Sequence, residues 1–177
     1  MKKGLKIFIV AMSLVLVIAT AVGTTLALLT DRTATVKNTF TVGDVQITLT
    51  ETTGNSYKLV PGKTIEKDPK VTVKANSEDC WLFVKIEKSA GLDTLFTVNV
   101  DTGWTALDGQ AGVYYREVTS STTAQDFFII KDNKITVKDV TSAVLQEAAK
   151  NEIYLSFTAY ACQKEGVADA TTAWSKF

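Results

Sequence analysis

The sequence predicts an antiparallel, mainly β domain behind an export leader, and three observations support this. Valine, isoleucine and aromatic residues alternate with threonine and charged residues through most of residues 40–177. A period of two sends apolar side chains to one face of a strand and polar ones to the other. Clusters of Gly, Pro, Asn and Asp break the alternation at short intervals, as hairpin-linked strands require. Finally, Lys2, Lys3 and Lys6 precede 24 residues without a charge, Ile7–Thr30.

The strands can be justified in order. "VQITLT" (45–50) puts Val45, Ile47 and Leu49 on one face and Gln46, Thr48 and Thr50 on the other. "KVTVKA" (70–75) repeats this with Val71 and Val73. "CWLFVKIEK", "LFTVNV", "GVYYREV", "DFFII", "KITVK" and "EIYLSFTAYACQ" continue the series, and about eight to ten strands are expected in all. Turn signals lie between them at Thr53-Gly54-Asn55, Pro61-Gly62, Asn76-Ser77, Asp108-Gly109 and Asp132-Asn133. Proline followed by glycine suits a type II turn at Pro61-Gly62. Two helices are expected. "DVTSAVLQEAAKN" (139–151) has an Asp139 or Thr141 cap and a stripe of Val140, Val144, Leu145 and Ala148; "GVADATTAWSKF" (166–177) turns Val167, Ala170 and Trp174 inward. Short strands at this spacing predict a sandwich or barrel, and no linker divides residues 40–177, which read as one domain.

The leader has two readings. Its basic start, apolar run and small-residue end at Thr25-x-Ala27 are the marks of a secretory signal, residues 1–27, cut between Ala27 and Leu28. The product, Leu28–Phe177, has 150 residues, enough to bury a sizeable core. The apolar run is also long enough to cross a bilayer of about 30 Å, so an uncleaved anchor with its basic end inside the cell is the other reading. Both put residues 31–177 outside the cytoplasm. Without the three leader lysines, 16 basic residues face 19 acidic ones, a net charge of −3. That surface offers polyanions no attraction, and no basic stripe is interleaved with aromatics, so nucleic acid is not an expected partner.

The chemical inventory excludes several enzyme classes. The chain has no histidine, which removes Ser-His-Asp and Cys-His devices and imidazole zinc sites. Two cysteines cannot make a Cys₄ centre, and no phosphate-binding glycine motif is present. Carboxylates lie in turns or beside lysines, as in "IEKDPK" and "KIEK", which reads as solvated charge. Asp101, Asp108 and Asp132 remain as scattered donors for a loose calcium site, without the alternating ligands of a calcium loop. No cofactor and no catalytic residue are expected. Trp81 and Phe83 read as core on a strand buried on both faces; Trp104, near a loop, reads equally as core or surface contact.

Cys80 and Cys162 could pair outside the cell. Alternation opposes this. Cys80 shares a face with Leu82, Val84 and Ile86, whereas Cys162 shares one with Tyr154, Ser156, Thr158 and Tyr160, opposite Ile153, Leu155 and Phe157. A disulfide and two buried free thiols both stand as readings.

The leader and first strand, "GTTLALLTDRTATVKNTFTVGDVQITL", resemble those of the TasA/camelysin family of secreted biofilm-matrix fibre proteins of Gram-positive bacteria. "LLTD" (28–31), "NTF" (38–40) and Gly43 match the family's order, as do "VPGKTIEKDPKVTVKANSEDCWLFVKIEK" and "AYACQKEGVADATTAW". Leu28-Leu29 departs from the family's usual small or aromatic residues after the cut. The resemblance implies a jelly-roll β-sandwich, exported by the Sec machinery and cut near Ala27 by a dedicated signal peptidase. It also implies a non-catalytic structural role in extracellular fibres, with self-association, or association with related matrix subunits, by strand donation. On that reading Leu28–Thr39 is a donor segment, with Leu28, Leu29, Val36 and Phe40 as assembly residues; a disordered threonine-rich tail is the other reading. A metalloprotease label carried by some relatives does not transfer to a chain without histidine. The alternative function is a membrane-anchored surface module that binds carbohydrate or a host protein.

Overall fold

The structure is a computed structural model that describes residues 3–4, 44–54, 57–148 and 150–177. The chain divides into Met1–Thr41 and Val42–Phe177. The leader helix, the Ala27–Leu28 cut and the donor residues Leu28, Leu29, Val36 and Phe40 all lie outside the described residues. Among the described residues no helix is long and apolar enough to cross a membrane.

The second unit is mainly β: β1 (Ile47–Thr50), β2 (Thr64–Glu66), β3 (Lys70–Val73), β4 (Cys80–Lys88), α1 (Leu92–Leu95), β5 (Phe96–Thr97), β6 (Thr105–Ala106), β7 (Val113–Val118), β8 (Gln125–Phe128), β9 (Lys134–Val137), α2 (Ser142–Ala148), β10 (Leu155–Gln163) and α3 (Ala170–Trp174). Three antiparallel sheets have the orders β1-β3-β8, β10-β4-β7-β6 and β2-β9-β5. The first packs on the second, giving the expected jelly-roll-like β-sandwich. Its interior takes Val71, Val73 and Ile129 from one side and Cys80, Leu82, Val84 and Ile86 from the other. These residues occupy alternate positions, so the period-two pattern is the cause of the core.

The third sheet continues the first. Lys67 N–H donates to the Asn133 carbonyl at 2.8 Å and Ile129 N–H to that of Pro69 at 3.0 Å, so β2 runs into β3 and β8 into β9 around a bend. Asp132 and Asn133, at φ 56° and 54°, turn the β8–β9 connection. At Pro61-Gly62 the type II turn forms: Gly62 has φ 72°, and Lys63 N–H reaches the Val60 carbonyl at 3.1 Å.

The outer face of β4 is buried as well. Trp81 and Phe83 pack with Leu107, Val113, Ala170 and Ala173 under α3. Asp169 caps that helix, its carboxylate accepting from Thr172 N–H at 2.7 Å. Val167 and Trp174 turn inward against the same cluster. Fully burying a side chain such as Phe83 contributes about 1.5–3 kcal/mol.

One reading needs correction. "LFTVNV" is not one strand: Leu95 ends the short helix α1, only Phe96–Thr97 pair as a strand, and Val100 makes a single bridge to Ile130. Leu92 and Leu95, three apart, both bury in the third core, and a helical turn places them there. The strands β2 and β6 carry no alternation long enough to read. Trp104 is no surface contact; it is 7% exposed and belongs to the sandwich core.

Candidate functional site

The sandwich has two long sides where its sheets end; along one of them the edge strands β1 and β10 approach each other, yet among the described residues no backbone hydrogen bond joins them. A groove of about 580 Å³ lies there. Leu155 and Phe157 of β10, Leu49 of β1, and Leu92, Phe96 and Ile135 of the third core supply its apolar wall. Glu51, Tyr57, Lys67, Glu152 and Tyr154 form a polar rim.

The backbone along this side is directed by the pairing of β10 with β4. Ser89 N–H donates to the Tyr154 carbonyl at 3.0 Å, and Lys164 N–H donates to the Asp79 carbonyl at 2.8 Å. Even-numbered residues of β10 therefore face β4. Odd ones, Leu155, Phe157, Ala159, Ala161 and Gln163, turn their N–H and C=O outward. Among the described residues none of these five has a backbone partner on that side. On β1, the Lys74 N–H to Gln46 carbonyl bond of 2.9 Å fixes the same parity, so Ile47 and Leu49 turn theirs outward. β10 is nine residues long and contains neither a charge nor a proline. A long uncharged edge strand is a template for another strand.

One wall of the groove is held by polar contacts. Lys67, buried at 7% exposure, pairs with Glu51 and lies 5.3 Å from the centre of the Tyr57 ring. Asp68 accepts from the N–H groups of Thr52 and Thr53, at 2.9 and 3.0 Å, and from both hydroxyls. These bonds, those of Thr52 first, hold its carboxyl well below the usual carboxylate range. They fix the chain as it leaves β1.

The remaining residues singled out in the sequence do not converge. Cys80 and Cys162 are free thiols on neighbouring strands, one step apart in register: Cys80 opposes Gln163 and Cys162 opposes Trp81. Their side chains enter different clusters, so the sulfurs sit on opposite faces of one sheet. Burial pushes the Cys80 thiol up to about 11, with Asp79 and Cys162 adding to the effect. Asp101 accepts from Gly103 N–H at 3.0 Å, and Asp108 and Asp132 lie in separate turns. No group of three or more Asp, Glu or Cys side chains among the described residues is placed to hold a metal ion. The sequence pattern alone did not mark the groove, because it arises from which strands end up at the edges. No family model, curated protein or solved structure matches the chain.

Proposed function

We propose that this is a secreted, non-catalytic structural protein that enters extracellular fibres of the biofilm-matrix kind, as a subunit or an accessory, by strand donation. The observation that carries the reading is the uncharged, outward-facing backbone of β10 beside an apolar groove. The donor is the Leu28–Thr39 segment of a second copy, freed by signal peptidase after export through the Sec machinery. Its sequence alternates as a strand does, with Ala34, Val36, Phe40 and Val42 against Thr33, Thr35, Lys37, Thr39 and Thr41; Asn38 interrupts the apolar face, and the phase changes at Gly43-Asp44 before the first strand. Leu28, Leu29, Val36 and Phe40 supply the apolar anchors, and main-chain bonds to the β10 edge supply affinity. Each copy gives a strand and receives one, a head-to-tail contact that builds filaments rather than closed rings.

Fractionation with N-terminal sequencing tests this. Extracellular protein beginning at Leu28, which sediments as fibres while a chain beginning at Asp44 stays monomeric, is the expected result. Two monomeric species at every concentration would sink it. Recovery from the membrane fraction with Met1 retained supports the anchored binding module instead, for which Tyr57 and Tyr154 at the groove rim are the contact residues.

A further inference from the structure

The opposite side of the sandwich is built differently. Arg116 opposes Leu82, a core position, so its side chain enters between the sheets rather than pointing to solvent. Its guanidinium carbon lies 4.0 Å from the centre of the Phe127 ring and 5.5 Å from that of Trp104. Trp104 Nε1 donates across the gap to the Phe128 carbonyl at 2.8 Å, tying the two sheets together. Gly103 lets the loop come close: a Cβ there would meet the Arg116 Nη1 at 2.9 Å.

Packing alone does not account for an arginine here. Its Nε is buried without a hydrogen-bond partner, which an aliphatic side chain between the same rings would avoid. Burial works against the charge and lowers its pKa, and Asp101 opposes this only from a distance. An inward-pointing charge is, however, one of the ways a sheet edge is protected against an added strand. The adjoining edges carry other protections: β6 has two residues, and β8 contains Asp126, which pairs with Lys70 at 2.7 Å.

We propose that Arg116 makes assembly one-sided by closing the β8/β6 side of the sandwich to an incoming strand. This rests on the strand-donation reading and adds its direction: one acceptor groove per subunit, and therefore unbranched growth. A strand laid against β8 must place its apolar side chains where the guanidinium sits, and a cation that is already poorly solvated cannot be covered further without cost.

The test compares fibres of the chain beginning at Leu28 with those of Arg116→Met, whose unbranched side chain reaches between the same rings, and of Arg116→Lys, which keeps the charge. Arg116→Leu serves if the methionine variant fails to fold. Near-UV circular dichroism and thermal melting establish that each variant is folded. Unbranched wild-type and Arg116→Lys fibres, with a gain of branch points or lateral fusion in Arg116→Met, is the expected result under negative stain. A folded Arg116→Met with unbranched fibres overturns the inference and leaves strand donation standing. Wild-type protein that forms no fibres overturns strand donation and this inference with it.

Discussion

The two sides of the sandwich teach more in comparison than either does alone. On one side nine residues of β10, without charge or proline, turn alternate backbone groups outward beside a groove. On the other, the edge strands are short, Asp126 pairs with Lys70, a tryptophan is bonded across the sheets and a charge is set between two rings. Both sides belong to one fold with one core. The difference lies in what each edge is given to prevent strand addition, and β10 is given nothing of the kind.

The largest effect is expected from blocking the open edge. Ala159 turns its N–H outward, so Ala159→Pro removes a donor from the free side and none from the ladder to β4. Proline is tolerated at such edge positions. Fibre formation should be lost while the melting temperature of the monomer changes little; fibres as abundant as those of the unaltered chain would break the comparison.

Opening the closed side comes next. Trp104→Ala removes a buried side chain and the bond to Phe128, and should cost about 3–5 kcal/mol in denaturant unfolding. A loss below about 1 kcal/mol, the size of one net hydrogen bond, would mean that this side is not held as described. Removing the partner of buried Lys67 should be milder. Glu51→Ala leaves a poorly solvated ammonium and should cost about 1–3 kcal/mol, with the groove wall loosened.

The smallest effect concerns acid. The Asp68 carboxyl is held low in the folded chain by Thr52 and Thr53. Its contribution is therefore complete above the ordinary carboxylate value of about 3.9 and fades as pH falls below it toward the folded value. Asp68→Asn should flatten the acid limb of stability measured below about pH 4 and leave its shape near neutrality unaltered. An unchanged acid limb would show that these four bonds do not stabilise the loop.

The fold was legible where alternation runs long. β4 and β10 turn every second side chain into a common core, and their sequences say so. Periodicity also marked the stripe of α2, whose Val144, Leu145 and Ala148 pack on the third core with Val140. Short elements were not legible: Thr64–Glu66 and Thr105–Ala106 are strands because a neighbour's register reaches them. Trp104 and Arg116 escaped for a related reason. Their roles depend on β8 lying across from β7, a contact between segments that no local pattern encodes. The groove is the same kind of feature, since "LSFTAYACQ" reads alike as an edge or a central strand.

The most direct measurement is amide hydrogen exchange on the chain beginning at Asp44, with and without a synthetic peptide of residues 28–43. The expected result is new protection at Phe157, Ala159 and Ala161, whose N–H groups face outward, and none at Gln125–Phe128. Protection absent from β10, or equal at β8, would contradict an acceptor edge confined to one side of the sandwich.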